Sequence, residues 1–300
     1  MRVSVLCVGH AAYDLCMSVA AYPAENSKMQ TDLLVESGGG PAANAAWLLA
    51  HWGLPTAMAG VVGDDDYGRR ILAELQQGGV GCSLMQTRPG YLTPVSFIIA
   101  NRANGSRTII NRRAAAAALE LPRQTPAELQ PRLLLFDGHE PAASLAALEA
   151  FPSALSVLDA GTLREGTELL SRRVDYLVCS ERFAAQATGR GEVEAHWQDC
   201  LRELQARNGK VVVVTLGEKG LAFSDGRQQG RLPALPVRAV DTTAAGDIFH
   251  GAFVFGLAQE MELCRALRLA TIAAGLSVQR PGGRPSTPEL AVVMEMMERI

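Results

Sequence analysis

Residues 240–258 bring together the residue types that phosphoryl transfer requires. Ala244, Ala245 and Gly246 have almost no side chain and lead into an apolar run that predicts a helix. Small residues let backbone N–H groups approach an anion, and a helix N-terminus adds a positive dipole end. Asp247 falls in the first turn, where it is a weak but available proton acceptor, which a loose phosphoryl-transfer transition state can use. The alternative is a helix-start aspartate among small residues that serve close packing.

A second glycine-rich segment, residues 36–44, also runs into a predicted helix. Gly38, Gly39 and Gly40 allow the main chain to lie against a ligand, and Asn44 offers both a donor and an acceptor to a hydroxylated molecule. The segment matches neither GxGxxG nor the phosphate-binding GxxxxGK[ST] loop, and the latter is absent from the chain. That absence excludes one architecture for phosphoryl transfer, not the reaction. A plain tight turn is the alternative.

Three further candidates lie at predicted strand ends or helix starts. Asp14 follows the first strand, at the sheet edge where ligands of open α/β proteins bind, and it is placed either to accept hydrogen bonds from sugar hydroxyls or to cap a helix. Residues 215–220, with two glycines, suit either main chain under a nucleotide or an ordinary turn. Residues 63–68 predict a helix-start turn with a solvated acidic face rather than a metal site. The five histidines show no zinc-binding spacing.

The elements that must position these residues alternate between strand and helix. Short, continuously apolar runs predict strands covered on both faces, as in a parallel sheet. They are residues 3–9, 56–62, 132–136, 155–159, 176–179 and 210–216. Helices are predicted at residues 41–52, 67–77, 142–151, 192–207, 246–259, 263–279 and 288–299. This order predicts a doubly wound, mostly parallel α/β sheet.

Two stretches break the alternation of strand and helix. Residues 28–35 alternate in polarity, and residues 94–111 predict a hairpin around Asn104 and Gly105, because both residue types tolerate positive φ. These strands belong either to a small separate sheet or to the edge of the main sheet, and the residues alone do not decide between the two.

The composition of the 300-residue chain predicts an ordinary globular protein. It is 48% apolar, and its net charge of -3 gives no basic field for nucleic acid or an anionic membrane. No apolar run approaches the roughly 20 residues that cross a bilayer. The six cysteines contain no CxxC pair and lie mostly in apolar segments, which indicates reduced thiols and a cytoplasmic protein.

Taken together and in this order, the motifs resemble those of the PfkB (ribokinase-like) carbohydrate kinases over nearly the whole chain. The resemblance rests on Asp14, on residues 38–44, 63–68 and 215–220, and most specifically on residues 241–247. It implies a ribokinase-like domain over residues 1–300 with a small β-sheet lid drawn from about residues 12–36 and 93–113. The lid is expected to close over the sugar, to exclude water and to form a homodimer contact.

The resemblance also implies roles for individual residues. Asp247 resembles the catalytic base, and Ala244, Ala245 and Gly246 resemble the anion hole. The predicted sugar-binding residues are Asp14, Lys28, Gly39, Gly40, Asn44, Asn111 and His139. The predicted ATP-binding residues are Thr215, Gly217, Gly220 and Thr271. The residues that match a potassium site formed mainly by main-chain oxygens are Asp241, Thr243, Ser277, Arg280, Gly282 and Ser286.

One departure from the family concerns Mg²⁺. The usual Asn-x-x-Glu aligns with residues 180–183, where Ser180 begins a Ser-Glu-Arg-Phe sequence and Glu181 is adjacent. Mg²⁺ can still be held chiefly by ATP phosphates and water. Ketohexokinases and sulfofructose kinases resemble this chain in lacking the pair, which favours a ketose-type substrate.

The nature of the sugar is the least determined prediction. Lys28, Asn111 and the Arg280–Arg284 pattern resemble sulfofructose kinases, but His139 stands where those enzymes carry an arginine. Imidazole is a poorer partner for a sulfonate than guanidinium. Residues 112–113, both arginine, predict a solvated basic loop rather than a replacement.

The expected activity is therefore ATP-dependent phosphorylation of a primary hydroxyl of a ketohexose or related sugar. A nucleoside kinase of the same family is one rival, for which Phe97 is an obvious aromatic residue near the base site. A catalytically silent sugar- or nucleotide-binding protein is the second. A dinucleotide-dependent oxidoreductase is a distant third, because the first strand lacks the glycine fingerprint.

Overall fold

The structure is a computed structural model, and it describes residues 3–112, 118–121, 129–208 and 210–299. Within these residues two β-sheets are seen. The strands of the main sheet are β1 (Val5–Val8), β4 (Thr56–Gly63), β5 (Gly81–Arg88), β8 (Leu133–Phe136), β9 (Leu155–Ala160), β10 (Tyr176–Ser180), β11 (Val211–Thr215), β12 (Leu221–Ser224) and β13 (Gln229–Leu232). Those of the small sheet are β2 (Ala12–Val19), β3 (Leu34–Gly39), β6 (Val95–Asn101) and β7 (Arg107–Arg112).

The main sheet is parallel except at one edge. Its strand order is β13-β12-β11-β10-β9-β8-β1-β4-β5, and only the pairs β11–β12 and β12–β13 are antiparallel. In β1, Val5 and Cys7 join one buried apolar cluster, and Leu6 and Val8 join a second. Alternate side chains of each strand thus enter the cores on opposite faces of the sheet, which explains the continuous apolar runs.

The helices cover these two faces. They are α1 (Pro41–His51), α2 (Asp66–Gln77), α3 (Pro141–Ala150), α4 (Glu165–Ser171), α5 (Glu181–Thr188), α6 (Trp197–Asn208), α7 (Ala245–Ala258), α8 (Leu263–Ser277) and α9 (Leu290–Arg299). Asp65 caps α2 by accepting a hydrogen bond from the Gly68 N–H at 2.8 Å. The acidic run at residues 63–68 is therefore a helix start, as predicted.

The small sheet has the order β3-β2-β6-β7 and is separate from the main sheet. The hairpin β6–β7 turns at residues 102–106, where Gly105 has φ 72°. This turn packs on the loop before α7, because the Thr242 N–H donates to the Gly105 carbonyl at 3.2 Å. The sequence left open whether these strands form a separate sheet, and the structure decides that they do.

Several predicted boundaries differ from the observed ones. Residues 28–33 contain no strand, so of the alternating run 28–35 only its end enters β3. Helix α6 begins at Trp197, five residues after the predicted start. Strands β5, β12 and β13 and helices α4 and α5 were not predicted. Residue 113, the predicted end of the lid and the second arginine of the basic pair, lies outside the described residues.

The six cysteines are free, and four of them are buried. Within the described residues, no helix has the length and apolar character needed to cross a membrane.

Candidate active site

The parallel strands of the main sheet end at one edge, and the candidate residues gather there. Asp137 follows β8, Asp159 lies in β9, and Thr215 ends β11. Helix α7 begins above this edge, and the small sheet brings Asp14 to it from β2. This is the position at which ligands bind in open α/β folds.

The start of α7 is open to solvent. Ala244 adopts the left-handed conformation with φ 58° and ψ 9°, which turns the chain into the helix. A Cβ built on Gly246 has no neighbouring heavy atom of the described chain within 4 Å. The first N–H groups of a helix lack intrahelical partners and sit at the positive end of its dipole. The helix start at Gly246 therefore borders open space, while the Ala245 N–H donates to the Thr242 carbonyl at 3.3 Å.

Asp247 projects from the first turn and is fixed by Asn44. The Asn44 Nδ2 group donates to Asp247 Oδ2 at 2.7 Å. Burial raises the pKa of Asp247, against the opposing effects of the Asn44 hydrogen bond and the positive charges of His250 and Arg107. A raised pKa makes this carboxylate a better proton acceptor than the helix dipole alone would predict.

Asp14 is held in the small sheet beside this group. It is 8% exposed, and burial raises its pKa to about 6, with the negative charge of Asp247 contributing in the same direction. Asp14 pairs across the sheet with Ser37 and Ser96, and Ser96 pairs with Asn111. Directly paired residues share a face, so this row of polar side chains includes the predicted sugar-binding residue Asn111.

Each glycine of residues 38–40 leaves room for another part of the protein. A Cβ on Gly38 would overlap the Arg284 guanidinium, and one on Gly39 would overlap the Asp14 carboxylate. Gly40 has φ 95°, and a Cβ there would overlap the carbonyl oxygen of His10. The segment thus packs tightly against the side chains that line the site.

Asp137 joins its own loop, the loop after β1 and the start of α1 at the same edge. Its carboxylate accepts hydrogen bonds from the N–H groups of His10 at 2.7 Å, His139 at 2.9 Å and Ala42 at 3.2 Å. The His139 ring stacks on the His10 ring with centroids 4.5 Å apart, and its Nε2 lies 2.7 Å from Arg164 Nη1. His139 is therefore at the sheet edge, beside a guanidinium that sequence reasoning missed.

His250 is buried one turn below the opening of α7. Its Nδ1 lies 2.6 Å from the Gly246 carbonyl oxygen and 3.3 Å from Asp159 Oδ2, and its Nε2 lies 3.2 Å from the Val178 carbonyl oxygen. Both ring nitrogens lie near oxygen acceptors, which fixes the orientation of the ring between α7 and the main sheet. Burial raises the pKa of Asp159 to about 6, and the nearby His250 opposes that rise.

The predicted nucleotide-binding residues lie after β11 and on α8. Gly217 has φ 60°, and a Cβ there would meet no described atom within 4 Å. Gly220 has φ 87°, but a Cβ there would overlap the Leu232 carbonyl oxygen, so this glycine is required by packing against β13. Thr215 Oγ1 donates to the Cys179 carbonyl at 3.3 Å, and Thr271 Oγ1 donates to the Leu267 carbonyl at 2.9 Å.

The predicted potassium-binding segments meet at Asp241. Its Oδ1 accepts from the Thr243 N–H at 2.8 Å and hydroxyl at 2.6 Å, and its Oδ2 accepts from the Gly282 N–H at 2.8 Å. The hydroxyls of Ser277 and Ser286 donate to the carbonyls of Ala274 and Gly283. The Asp241 carboxylate therefore joins the two segments by accepting hydrogen bonds from both of them.

Two predicted site residues, and the residue at the departure from the family's Asn-x-x-Glu, have other surroundings. Lys28 lies in an exposed stretch without regular structure, and no contact joins it to the other candidate residues within the described chain. Arg280 is exposed beyond the end of α8. Ser180 caps α5 by accepting from the Phe183 N–H at 3.1 Å and donates its own hydroxyl to the Gly161 carbonyl at 2.7 Å.

Comparisons with known proteins identify the family of this chain. The chain matches the profile described as pfkB family carbohydrate kinase over residues 3–290. It is 29% identical to fructokinase-1 of Oryza sativa subsp. japonica, covering 98% of this chain and 97% of that protein. The crystal structure of a candidate ribokinase from Agrobacterium tumefaciens superposes with a TM-score of 0.90 at 30% identity, covering 100% of this chain and 98% of the other. A ribokinase from Cryptococcus neoformans var. grubii in complex with ADP has a TM-score of 0.80 at 25% identity, covering 98% and 99%.

The chain therefore belongs to the pfkB family of carbohydrate kinases, which are phosphotransferases with an alcohol group as acceptor. The predicted family and the predicted fold, a mostly parallel sheet with a smaller second sheet, are both confirmed.

Proposed function

We propose that this protein uses ATP to phosphorylate a primary hydroxyl of a sugar, with a ketohexose or a related ketose as the preferred class. The observation that carries the proposal is the contact between Asn44 and Asp247 at the open start of α7, with Asp14 beside it. A proton acceptor, an amide and a second carboxylate then surround the place where a sugar hydroxyl must meet a phosphoryl group. The ADP complex of the Cryptococcus ribokinase supports ATP as the donor.

In this mechanism the two carboxylates have different tasks. Asp14 and the polar row that includes Asn111 accept hydrogen bonds from sugar hydroxyls and fix the sugar. Asp247 orients the acceptor hydroxyl and takes its proton late in the reaction. The N–H groups of residues 244–246 and the start of α7 stabilise the charge that spreads over the transferring phosphoryl oxygens.

The small sheet is proposed to act as a lid and as a dimer contact. Leu15, Phe97 and Ile110 pair across β2, β6 and β7 and so share the face opposite Asp14 and Ser96. Phe97 is 47% exposed and Ile110 is 62% exposed, so this outer face is apolar and open. A second copy of the chain is the proposed cover. Light scattering that gives the mass of one chain at working concentration would exclude this contact.

Phe97 also bears on the nucleoside-kinase alternative. Because it lies on the outer face of the small sheet, it does not furnish a slot for a base beside Asp14. This favours a sugar over a nucleoside.

Two metal ions are part of the proposal. Mg²⁺ would be held chiefly by ATP phosphates and water, because the hydroxyl of Ser180 already caps α5 and only the adjacent Glu181 carries a carboxylate there. When bound, it would neutralise charge on the phosphates. Potassium would bind main-chain oxygens of residues 241–243 and 277–286, which Asp241 holds together.

The test is an ATP-consumption assay over ketohexoses, aldopentoses, sulfonated ketoses and nucleosides, with and without potassium. We expect turnover with at least one ketose, and a loss of several orders of magnitude in kcat in Asp247→Ala with ATP binding retained. Thermal shifts with a non-hydrolysable ATP analogue identify the bound sugar independently, because a ligand of the folded state raises Tm. Turnover with nucleosides alone, or unchanged kcat in Asp247→Ala, would overturn the proposal.

A further inference from the structure

Arg284 is a buried cation that none of the preceding roles explains. It lies in the short 3-10 turn Arg284–Ser286 and is only 2% exposed. Its guanidinium packs against the main chain of Gly38, where any larger residue would overlap it. Taking a charge out of water is expensive, and burial accordingly lowers the pKa of Arg284. A buried charge of this kind is therefore expected to have a specific role.

One directed hydrogen bond leads from Arg284 toward the reacting groups. Its Nε donates to Asn44 Oδ1 at 3.0 Å, and Asn44 Nδ2 donates to Asp247 Oδ2 at 2.7 Å. Guanidinium nitrogens only donate and carboxylate oxygens only accept, so the amide has a single satisfactory orientation. Arg284 faces the amide oxygen, and the amide nitrogen is thereby turned toward Asp247.

Glu74 of α2 fixes the other side of the guanidinium. Its Oε1 lies 3.3 Å from Arg284 Nη1, and its Oε2 accepts a hydrogen bond from the Gly38 N–H at 2.5 Å. The carboxylate balances the buried charge and anchors the glycine segment. Within the described residues, Nη1 and Nη2 have no hydrogen bond of good geometry, so the bond from Nε to Asn44 is the directed one.

We propose that Arg284 is a positioning residue for phosphoryl transfer: anchored by Glu74, it orients the Asn44 amide, which in turn holds Asp247 toward the acceptor hydroxyl. This role rests on the proposed function. This role differs from a purely structural one because Arg284 acts through the Asn44 side chain, so its effect on kcat is lost when that side chain is absent.

The role has a consequence for the pH profile. Donation from Asn44 opposes the burial that raises the pKa of Asp247, so a misoriented amide moves the acid limb of kcat to higher pH. The other charged groups facing Asp247 are His250 on its own helix, Arg107 from β7, Asp137 after β8, Asp159 in β9, Asp14 from β2 and Arg284 itself. A substitution at 284 leaves the first five unchanged, and Arg284→Lys, which keeps the positive charge, shows whether loss of that charge contributes to the shift.

The experiment is a double-mutant cycle on kcat with Arg284→Met, Asn44→Ala and the double variant, measured with the sugar that the wild-type chain phosphorylates. We expect Arg284→Met to lower kcat by about tenfold, to leave KM for ATP unchanged and to move the acid limb upward. In the Asn44→Ala background the same change should lower kcat by less than about twofold.

Arg284→Lys keeps the positive charge but lacks the guanidinium Nε donor. It therefore tests the effect of the charge separately from that of the directed hydrogen bond to Asn44. It should retain Tm but show the same fall in kcat and the same shift of the acid limb as Arg284→Met. If Arg284→Met does not fold, the cycle is run with Arg284→Lys.

The positioning role would be overturned if Arg284→Met lowered kcat by the same factor in the wild-type chain and in Asn44→Ala. It would also be overturned if Arg284→Lys had the wild-type kcat and pH profile. In both cases the kinase activity would remain established. A wild-type chain inactive on every sugar would instead overturn the proposed function.

Discussion

The two glycine-rich segments of the site have similar compositions and opposite surroundings. Residues 38–40 are packed on all sides, since a Cβ at any of them would overlap Arg284, Asp14 or the His10 carbonyl. Gly246, in contrast, faces open space with no described heavy atom within 4 Å of a Cβ placed there. In the first segment glycine makes room for the protein itself, and in the second it makes room for a ligand.

This difference separates positioning from binding. The packed segment brings the Asp14 carboxylate and the Arg284 guanidinium close to the main chain, so its glycines act on the site through those side chains. The open segment has no described heavy atom within 4 Å of a Cβ at Gly246, so its small residues leave room for an arriving anion. A substitution to alanine should therefore harm both the fold and the activity in the packed segment, and the activity alone in the open segment.

Among the substitutions that compare the two segments, Gly39→Ala should have the largest effect. The new methyl group would displace the Asp14 carboxylate, and such a shift should lower kcat/KM for the sugar by about 100-fold. Overpacking should also lower the free energy of unfolding by about 1–3 kcal/mol. Steady-state kinetics and urea unfolding measure the two effects.

Gly246→Ala is the matched change at the open segment. It should leave the free energy of unfolding unchanged or raise it by up to about 1 kcal/mol, because alanine favours a helix. Its kcat should fall about tenfold, since the methyl group stands where the phosphoryl group approaches. Gly191→Ala, in an exposed loop with no described atom near its Cβ, is the control for the substitution itself. If Gly39→Ala and Gly246→Ala lowered the free energy of unfolding equally, the distinction between the packed and the open segment would be wrong.

A change in stability that depends on pH is expected from Asp14→Asn. The pKa of Asp14 is raised from 3.8 to about 6, so its proton-linked stabilisation is complete below pH 3.8 and is lost as the pH rises through about 6. A shift of that size corresponds to about 3 kcal/mol. The neutral asparagine avoids this loss, so the variant should be more stable than wild type at pH 8 by up to that amount and equal to it near pH 3.5.

Urea unfolding at a series of pH values tests this, with sugar affinity measured in parallel. The variant should bind sugar more weakly, because an amide accepts fewer hydrogen bonds than a carboxylate. A stability difference that does not change with pH would mean that the Asp14 carboxylate is not destabilised by burial.

The parts of this molecule that sequence patterns predict are those encoded locally. Six main-sheet strands, namely β1, β4, β8, β9, β10 and β11, are continuous apolar runs. The starts of α1, α2 and α7 carry their own proline, aspartate or small residues. The segments around Asn44 and Asp247 were recognisable as candidates, and their side chains are in contact. That contact itself was not predicted, because it joins residues 203 positions apart.

Sequence patterns did not predict the residues whose role depends on contacts between distant elements. Arg284 acts on Asn44 across 240 residues, and His250 meets Asp159 from another strand. A buried cation carries no local signature, since its neighbours are ordinary turn residues. The only available signal for His250 was a histidine four residues after Gly246 in an otherwise apolar helix, where its ring reaches the Gly246 carbonyl.

The smallest predicted effect concerns Ala244, where the open segment stores backbone strain. It has φ 58°, a left-handed conformation that costs an L-residue roughly 1–2 kcal/mol and that glycine adopts freely. Ala244→Gly should raise the free energy of unfolding by up to about 1 kcal/mol, because the relieved strain is partly offset by the greater entropy of the unfolded chain. Urea unfolding at pH 7 measures this gain in stability, and kcat should change less than twofold, since the N–H groups stay in place.

Glu260, which has φ 57° after the end of α7, provides the control: Glu260→Gly should give a similar gain in stability without changing the site. A loss of stability in Ala244→Gly beside a gain in Glu260→Gly would show that the Ala244 methyl, which lies against Gly283, contributes more by packing than its backbone conformation costs.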